Sequence, residues 1–260
     1  MSEITHENYF SKEMDLEYMS VSQYKEFAKC SSKAFAVLNS ETSAEEKQAF
    51  LEGHLFETII AGDIDLFMMQ HPELVASRGA TKGELKANFK KVVLAANKIK
   101  NQQFIMDIVN KCEKQVIMTG IINGIKVKCC ADLLDKETGN IYDLKCMANF
   151  NDTWDKENKC YMPWYYYYGY VLQMAVYQEI ARQNYGKLFN THLIAATKED
   201  EPDMDAIQFD NSLLEIELKE FSNNIVYYDK IKKGLEPVKA CNTCDYCKAH
   251  KIITNFREVK

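Results

Sequence analysis

Two short apolar runs, Val127–Leu134 and Ile141–Met147, flank the polar segment Asp135–Asn140. Val, Ile, Leu and Tyr suit a strand, and Glu137-Thr138-Gly139-Asn140 is turn chemistry, so the pattern predicts an antiparallel hairpin over 126–147. With the turn centred between Glu137 and Thr138, Leu134 faces Ile141 and Asp132 faces Asp143, their Cβ atoms about 4.5–5.5 Å apart. Lys145 points the same way as Asp143, because strand side chains alternate. Lys114–Ile122 reads as a further strand, turning at Asn123-Gly124 into this hairpin. Leu188–Thr197 reads as a buried strand.

Helical spacing accounts for most of the rest. Tyr24, Phe27, Ala28, Phe35 and Leu38 share one face of a helix capped by Ser20 or Ser22. Cys30 lies within it, where a lone cysteine ordinarily acts as a small buried hydrophobe. Ser43-Ala-Glu-Glu46 is a capping box for a helix from Ala44 to about Ala61. Residues 63–82 read as loop with a helical piece at Asp65–Met69, and Gly83–Asn110 as one or two helices facing inward through Phe89, Val92, Val93, Ala96 and Ile99. Ala148 to about Asn158 reads as loop. Cys160–Asn184 then reads as a helix with Tyr166, Tyr170, Gln173 and Tyr177 on one face. Asn211–Lys233 is a long helix, stopped by Gly234 and Pro237.

The chain has 260 residues, 47% hydrophobic and 27% charged, which suits a soluble globular protein. No run of about 18 apolar residues is present, and the first residues are too polar for a signal peptide, so a cytoplasmic location with no membrane partner is expected. A net charge of −6 supplies no basic footprint for nucleic acid, although a carboxylate site neutralised by bound cations contributes to such a balance. Nine cysteines without a secretory signal point to reduced thiols or metal ligands.

The candidate chemistry starts at the hairpin. Opposed carboxylates flanked by apolar residues are destabilising unless a cation lies between them, and Mg²⁺ suits such oxygens. The alternative is a solvated hairpin tip. On the preceding helix Phe50, His54, Glu57 and Ala61 form a stripe, with Gly53 one turn before Glu57. A glycine there suggests close approach of another backbone, while Glu57 taken alone reads first as a helix-surface carboxylate and only second as a ligand. Seven aromatics lie between Tyr161 and Tyr170, more than one helix face buries, so some should face a groove where bases could stack. Lys82, Lys86, Lys90, Lys91, Lys98 and Lys100 could track a phosphate backbone, although most of them fit a solvated helix face better. In the tail, Cys241, Cys244 and Cys247 form two successive C-x-x-C spacings, a metal signal that lacks a fourth ligand. His250 would complete a zinc site, and a distant cysteine an iron–sulfur site.

Taken together these pieces resemble the PD-(D/E)xK nucleases of the RecB/RecE type, nearest to phage and prophage exodeoxyribonuclease VIII-like proteins. Ser20–Cys30 resembles the opening helix with its lone cysteine, and Gly53-His-Leu-Phe-Glu57 the G-x-x-x-(H/E) helix. Asp132 matches the first metal aspartate, Asp143-Leu-Lys145 the (D/E)xK strand, and Gln173-Met-Ala-Val-Tyr177 the QxxxY helix. The tail resembles members holding a 4Fe–4S cluster, though those usually space their last cysteine further away.

The resemblance implies an α/β (α+β) fold over 1–260. It comprises a helical part (about 20–110), a restriction-endonuclease-like core with a mixed sheet flanked by helices (about 113–200), and a C-terminal helix with the cysteine tail (about 211–260). It also implies DNA hydrolysis by Glu57, Asp132, Asp143, Lys145, Gln173 and Tyr177. Mg²⁺ or Mn²⁺ would be held by Glu57, Asp132, Asp143 and the Leu144 carbonyl. Cys30, Cys241, Cys244 and Cys247 would hold a structural cluster or zinc, and Tyr166 and Tyr170 would touch DNA. A phage single-strand annealing protein is an implied partner, and an oligomer is compatible with the type. The alternative is a binding module that kept the fold, which would have no need of the complete charged set.

Overall fold

The computed structural model describes residues 3–39, 47–62, 64–156 and 158–256. Along the chain come α1 (Lys12–Glu17), α2 (Val21–Leu38), α3 (Lys47–Ala61), α4 (Ile64–Gln70), a 3-10 turn (Pro72–Leu74), α5 (Ala87–Lys100) and α6 (Gln103–Lys111). Then follow β1 (Glu113–Ile122), β2 (Ile125–Asp135), β3 (Asn140–Met147), β4 (Thr153–Asp155), β5 (Cys160–Met162), α7 (Trp164–Tyr167) and α8 (Tyr170–Tyr185). Last are β6 (Asn190–Thr197), β7 (Met204–Gln208), α9 (Asn211–Lys232) and α10 (Asp245–Ala249). Five strands form one sheet in the order β1-β2-β3-β6-β7, while β4 and β5 pair by themselves. β3 runs parallel to β6 and antiparallel to β2, so the sheet is mixed. Among the described residues no helix is long and apolar enough to cross a membrane.

The chain divides into two units. The larger comprises Glu45–Met118 and Cys129–Lys219. Alternation along β6 sends Ile194 and Ala196 to one face of the sheet, Leu193 and Ala195 to the other. The first face packs with Leu133, Leu144, Leu55, Phe56 and Ile59 of α3, and Phe89, Val92 and Ile99 of α5. The second packs with Met147, Trp164, Met174 of α8 and Leu214 of α9. Each large apolar side chain buried in these layers contributes about 1.5–3 kcal/mol. The mixed sheet flanked by helices is thus the expected one.

The smaller unit is assembled from Met1–Ala44, Thr119–Lys128 and Glu220–Lys260. Ser20 caps α2, accepting the Gln23 N–H at 3.1 Å. Phe27, Ala34 and Ile231 form its buried cluster, with Phe35, Leu38, Tyr227 and Tyr228 against them. Met19 bridges Val127 in parallel. Lys232 donates to the carbonyls of Asp15 (3.1 Å) and Tyr18 (2.9 Å), satisfying acceptors that the short α1 leaves open.

Four local expectations need correction or lie beyond reach. The capping box Ser43–Glu46 lies outside the described residues. A Cβ at Gly53 would meet nothing within 4 Å, so close backbone approach is not the reason for that glycine. The helix expected over Cys160–Asn184 begins only at Trp164 and breaks at Gly169, whose φ of +67° is left-handed. Tyr166 therefore sits on α7 and does not share a continuous face with Gln173. Residues 153–155 and 160–162, read as loop and helix start, form the β4–β5 hairpin.

Candidate active site and metal centre

The turn of the β2–β3 hairpin is held by Asp135, whose Oδ1 accepts the N–H groups of Glu137 and Thr138, each at 3.0 Å. That loop sets the register Leu133↔Tyr142, Leu134↔Ile141 and Asp135↔Asn140, the one expected from the turn. Asp132 lies one residue past these pairs. Its Oδ2 accepts the backbone N–H of Leu144 at 2.8 Å, a side chain standing in for a strand acceptor. Asp143 is 1% exposed and accepts from Gln173 Nε2 at 2.7 Å through Oδ1. Its Oδ2 takes no hydrogen bond but is ion-paired with Lys145 Nζ. The Lys145 ammonium also reaches the Leu144 carbonyl (3.3 Å) and stands 5.4 Å from the centre of the Tyr170 ring.

Glu57 arrives from α3 and meets this group through Gln115 of β1. The Gln115 amide nitrogen donates to Glu57 Oε2 (3.3 Å) and Asp132 Oδ1 (3.4 Å), while its oxygen accepts from the Cys130 thiol (3.3 Å). Ionised carboxylates only accept and the thiol donates, so with the two carboxyls ionised the amide has one satisfactory orientation. Burial first, then Asp132, raises the Cys130 thiol to about 12, which keeps it a donor. The Gln115 backbone has φ +52°, which in a strand costs roughly 1–3 kcal/mol.

Three carboxylates around one ammonium leave surplus negative charge in a dry place. Burial, and after it Asp132, holds the Glu57 carboxyl well above its ordinary range. Burial and then Asp143 lift Asp132 from 3.8 to about 7. For Lys145, burial pulls the ammonium down, but Asp143 and Asp132 outweigh it and the net shift is upward. The sign for stability follows. Asp132 binds its proton more tightly folded than unfolded, so its contribution is fully present below pH 3.8 and is lost as pH rises through about 7. In EDTA the melting midpoint of the wild type, relative to that of Asp132→Asn, should therefore fall between about pH 5 and pH 7.5. A flat or rising difference in thermal unfolding would remove the buried-carboxylate account.

Glu57, Asp132, Asp143, Leu144, Lys145 and Gln173 are thus brought together by the fold. Tyr177, one turn beyond Gln173, is half-buried against the second face of the sheet, as are Tyr166 and Tyr170. The exposed aromatics of this region are instead Trp154, Tyr161, Tyr167 and Tyr168. His54 stacks near Phe50, ring centres 3.9 Å apart. Gln115 escaped sequence reasoning: a polar residue near the start of a strand gives no periodic signal.

A second cluster lies wholly in the smaller unit. Cys30, Cys241, Cys244 and Cys247 place their sulfurs all within 4.8 Å of one another. Cys30 sits where α2 leaves helical geometry (φ −162°, ψ 96°), and the other three lie at or beside α10. Cys30 and Cys247 are 3.4 Å apart, Cys30 and Cys244 3.8 Å, and Cys241 and Cys247 3.9 Å. The Thr243 hydroxyl and then the Cys244 N–H stabilise the Cys241 thiolate, bringing that thiol down to about 5. His250 turns Nδ1 to the Tyr246 carbonyl at 2.8 Å and is not part of the group. Among the described residues, these four thiols are the set of metal-ligand side chains gathered this closely. Glu57, Asp132 and Asp143 are arranged around Gln115 and Lys145 instead.

A mixed sheet carrying an Asp on one strand and an Asp-x-Lys on its hairpin partner, with a Glu and a Gln from flanking helices, defines the PD-(D/E)xK nuclease class. The chain belongs to the family described as "PDDEXK-like domain of unknown function (DUF3799)", whose model matches residues 20–250. A crystal structure named "Putative exonuclease" from Eubacterium rectale is 33% identical, with a TM-score of 0.89 over 99% of this chain and 97% of that one. Another solved structure, SSO0001, is 13% identical over 67% of this chain and 82% of that one, and its TM-score of 0.28 carries no argument. No curated protein sequence matches the chain.

Proposed function

We propose that this protein is a metal-dependent DNA exonuclease that hydrolyses phosphodiester bonds. The observation carrying the reading is the burial of Asp132 and Asp143 together with Lys145, beside Glu57 and Gln173. The name of the Eubacterium rectale relative supports it. The donor set fits a hard divalent cation: buried carboxylates with surplus negative charge, and an Asp143 oxygen whose partner is the Lys145 ammonium. Glu57, Asp132, Asp143 and the Leu144 carbonyl would hold one or two Mg²⁺ or Mn²⁺ ions. Bound there, the metal polarises the scissile phosphate, activates water and stabilises the leaving oxygen.

The side chains have separable tasks. Lys145, kept charged by its two aspartates, orients the attacking water and offsets charge on the phosphate; it is not suited to removing a proton. Gln173 fixes the rotamer of Asp143, and the Tyr170 ring supports the ammonium of Lys145. Base stacking, which the resemblance gave to Tyr166 and Tyr170, falls more naturally to exposed Tyr161, Tyr167 and Tyr168. Work on DNA ends in phage-type recombination, with a single-strand annealing protein as partner, follows from the resemblance.

For the four thiols we propose a structural metal. Four sulfurs around one tetrahedral ion at 2.3 Å stand about 3.8 Å apart; three pairs of these thiols lie at 3.4–3.9 Å and all lie within 4.8 Å. That spacing favours zinc over the 4Fe–4S cluster implied by the resemblance, in which each thiolate caps a different iron and stands further from the others.

End-labelled linear and circular DNA, with Mg²⁺, Mn²⁺ or EDTA, tests the enzyme. Metal-dependent loss of linear DNA alone is expected, slowed by about 10²–10³-fold in Lys145→Ala. Cutting of circles would make it an endonuclease. Retained DNA binding without digestion would leave the binding module, favoured now by no specific observation.

A further inference from the structure

Each carboxylate of the site has a distinct polar partner. Asp132 takes the Leu144 N–H, and Asp143 takes the Gln173 amide and the Lys145 ammonium. For Glu57, among the described residues, the recorded hydrogen bond comes from Gln115. The same amide nitrogen reaches Asp132, so one side chain on β1 spans a carboxylate from α3 and a carboxylate from β2. The Cys130 thiol holds the far end of that amide. The backbone under it is left-handed at φ +52°. Among the described residues the other non-glycine positions with positive φ are Asn123, Lys159 and Asn242, at turns or loops, whereas Gln115 is within a strand. Asn and Gly adopt this conformation more readily than Gln. A residue poorly suited to its backbone and well suited to its contacts indicates that the contacts set the choice.

We infer that Gln115 is a positioning residue of the metal site, fixing the separation and orientation of the Glu57 and Asp132 carboxylates so that they bind a divalent cation as a pair. The inference rests on the metal reading of those carboxylates given above. Side chains that hold metal-binding groups in place ordinarily change affinity by about 10–100-fold when removed. Gln115 is not itself assigned as a ligand. It acts through the two carboxylates, both reached by its amide nitrogen.

Gln115→Gly and Gln115→Asn separate this role from a merely structural one. Both suit the left-handed backbone, so both should keep or raise the melting midpoint of the full chain, and neither carries an amide long enough to span the two carboxylates. The probe is Mn²⁺ alone, titrated calorimetrically into the full chain, with free Mn²⁺ followed by its paramagnetic signal. Wild type should bind Mn²⁺, Asp132→Asn should lose that binding, and both Gln115 variants should bind about 10–100-fold more weakly while folded. Unchanged Mn²⁺ affinity in folded Gln115→Gly and Gln115→Asn would overturn the proposal while leaving the metal site standing. A wild type that takes up no Mn²⁺ at these carboxylates would overturn the metal reading, and this proposal with it. If one variant fails to fold, the other decides.

Discussion

Asp132→Asn should slow DNA digestion by about a thousandfold or more while giving a folded chain that melts higher than wild type in EDTA at pH 8. The two effects have one cause. Asp132 lies in a cluster where burial and Asp143 push its carboxyl up to about 7, so its charge at pH 8 opposes folding. The asparagine keeps an oxygen for the Leu144 N–H, a 2.8 Å bond, and gives up only the long 3.4 Å contact from Gln115. It also removes the charge that would bind the metal. A catalytic metal supplies several kcal/mol of transition-state stabilisation, and about 4 kcal/mol corresponds to a thousandfold. Gel assays on end-labelled DNA and thermal unfolding on the same preparations read both halves. A variant that digests at the wild-type rate would end the proposed mechanism. An inactive variant that melts lower in EDTA would show that the cluster is not under charge strain.

The other large effect is expected at the thiols. Cys30→Ser should reduce metal content from one equivalent of zinc per chain towards none and lower the melting midpoint of the smaller unit by roughly 10 °C. Structural zinc sites are worth about 10–16 kcal/mol of apparent binding energy, and losing even about 2 kcal/mol of it moves a domain of this size by that much. Cys160, exposed and outside the group, is the control: Cys160→Ser should change neither quantity. Elemental analysis with calorimetry makes the comparison. Iron and sulfide in a brown wild type would replace zinc by a cluster, and unchanged metal in Cys30→Ser would remove Cys30 from the ligand set.

How much of this could be read along the chain depended on the range of the interaction. The β2–β3 hairpin was legible because its alternation is local and Asp135–Asn140 can only turn. Placing the turn centre then gave Leu134↔Ile141 and brought Asp132 towards Asp143. Gln173 was legible through the helical repeat and the resemblance. The repeat misled at Tyr166, because Gly169 breaks the helix and periodicity does not register a left-handed residue. Trp154 and Tyr161 face each other across a hairpin too short to show alternation. Gln115 was invisible because its backbone conformation is set by contacts with residues 17 and 58 positions away. Cys30 read locally as a small hydrophobe, and only the resemblance to a family pointed it at the tail.

Cys30 and Cys247 are 217 residues apart, which sets a timetable for the growing chain. At translation speeds of about 5–20 residues per second, the first thiol is made roughly ten to forty seconds before the last. Glu57, Asp132 and Asp143 have all been made by then, together with the whole of the larger unit. The four thiols can come together only once Cys247 has been made, so the metal proposed for them would load after the larger unit is synthesised. A growing chain therefore passes through an interval in which Glu57, Asp132 and Asp143 have been made and the set of four thiols is still incomplete.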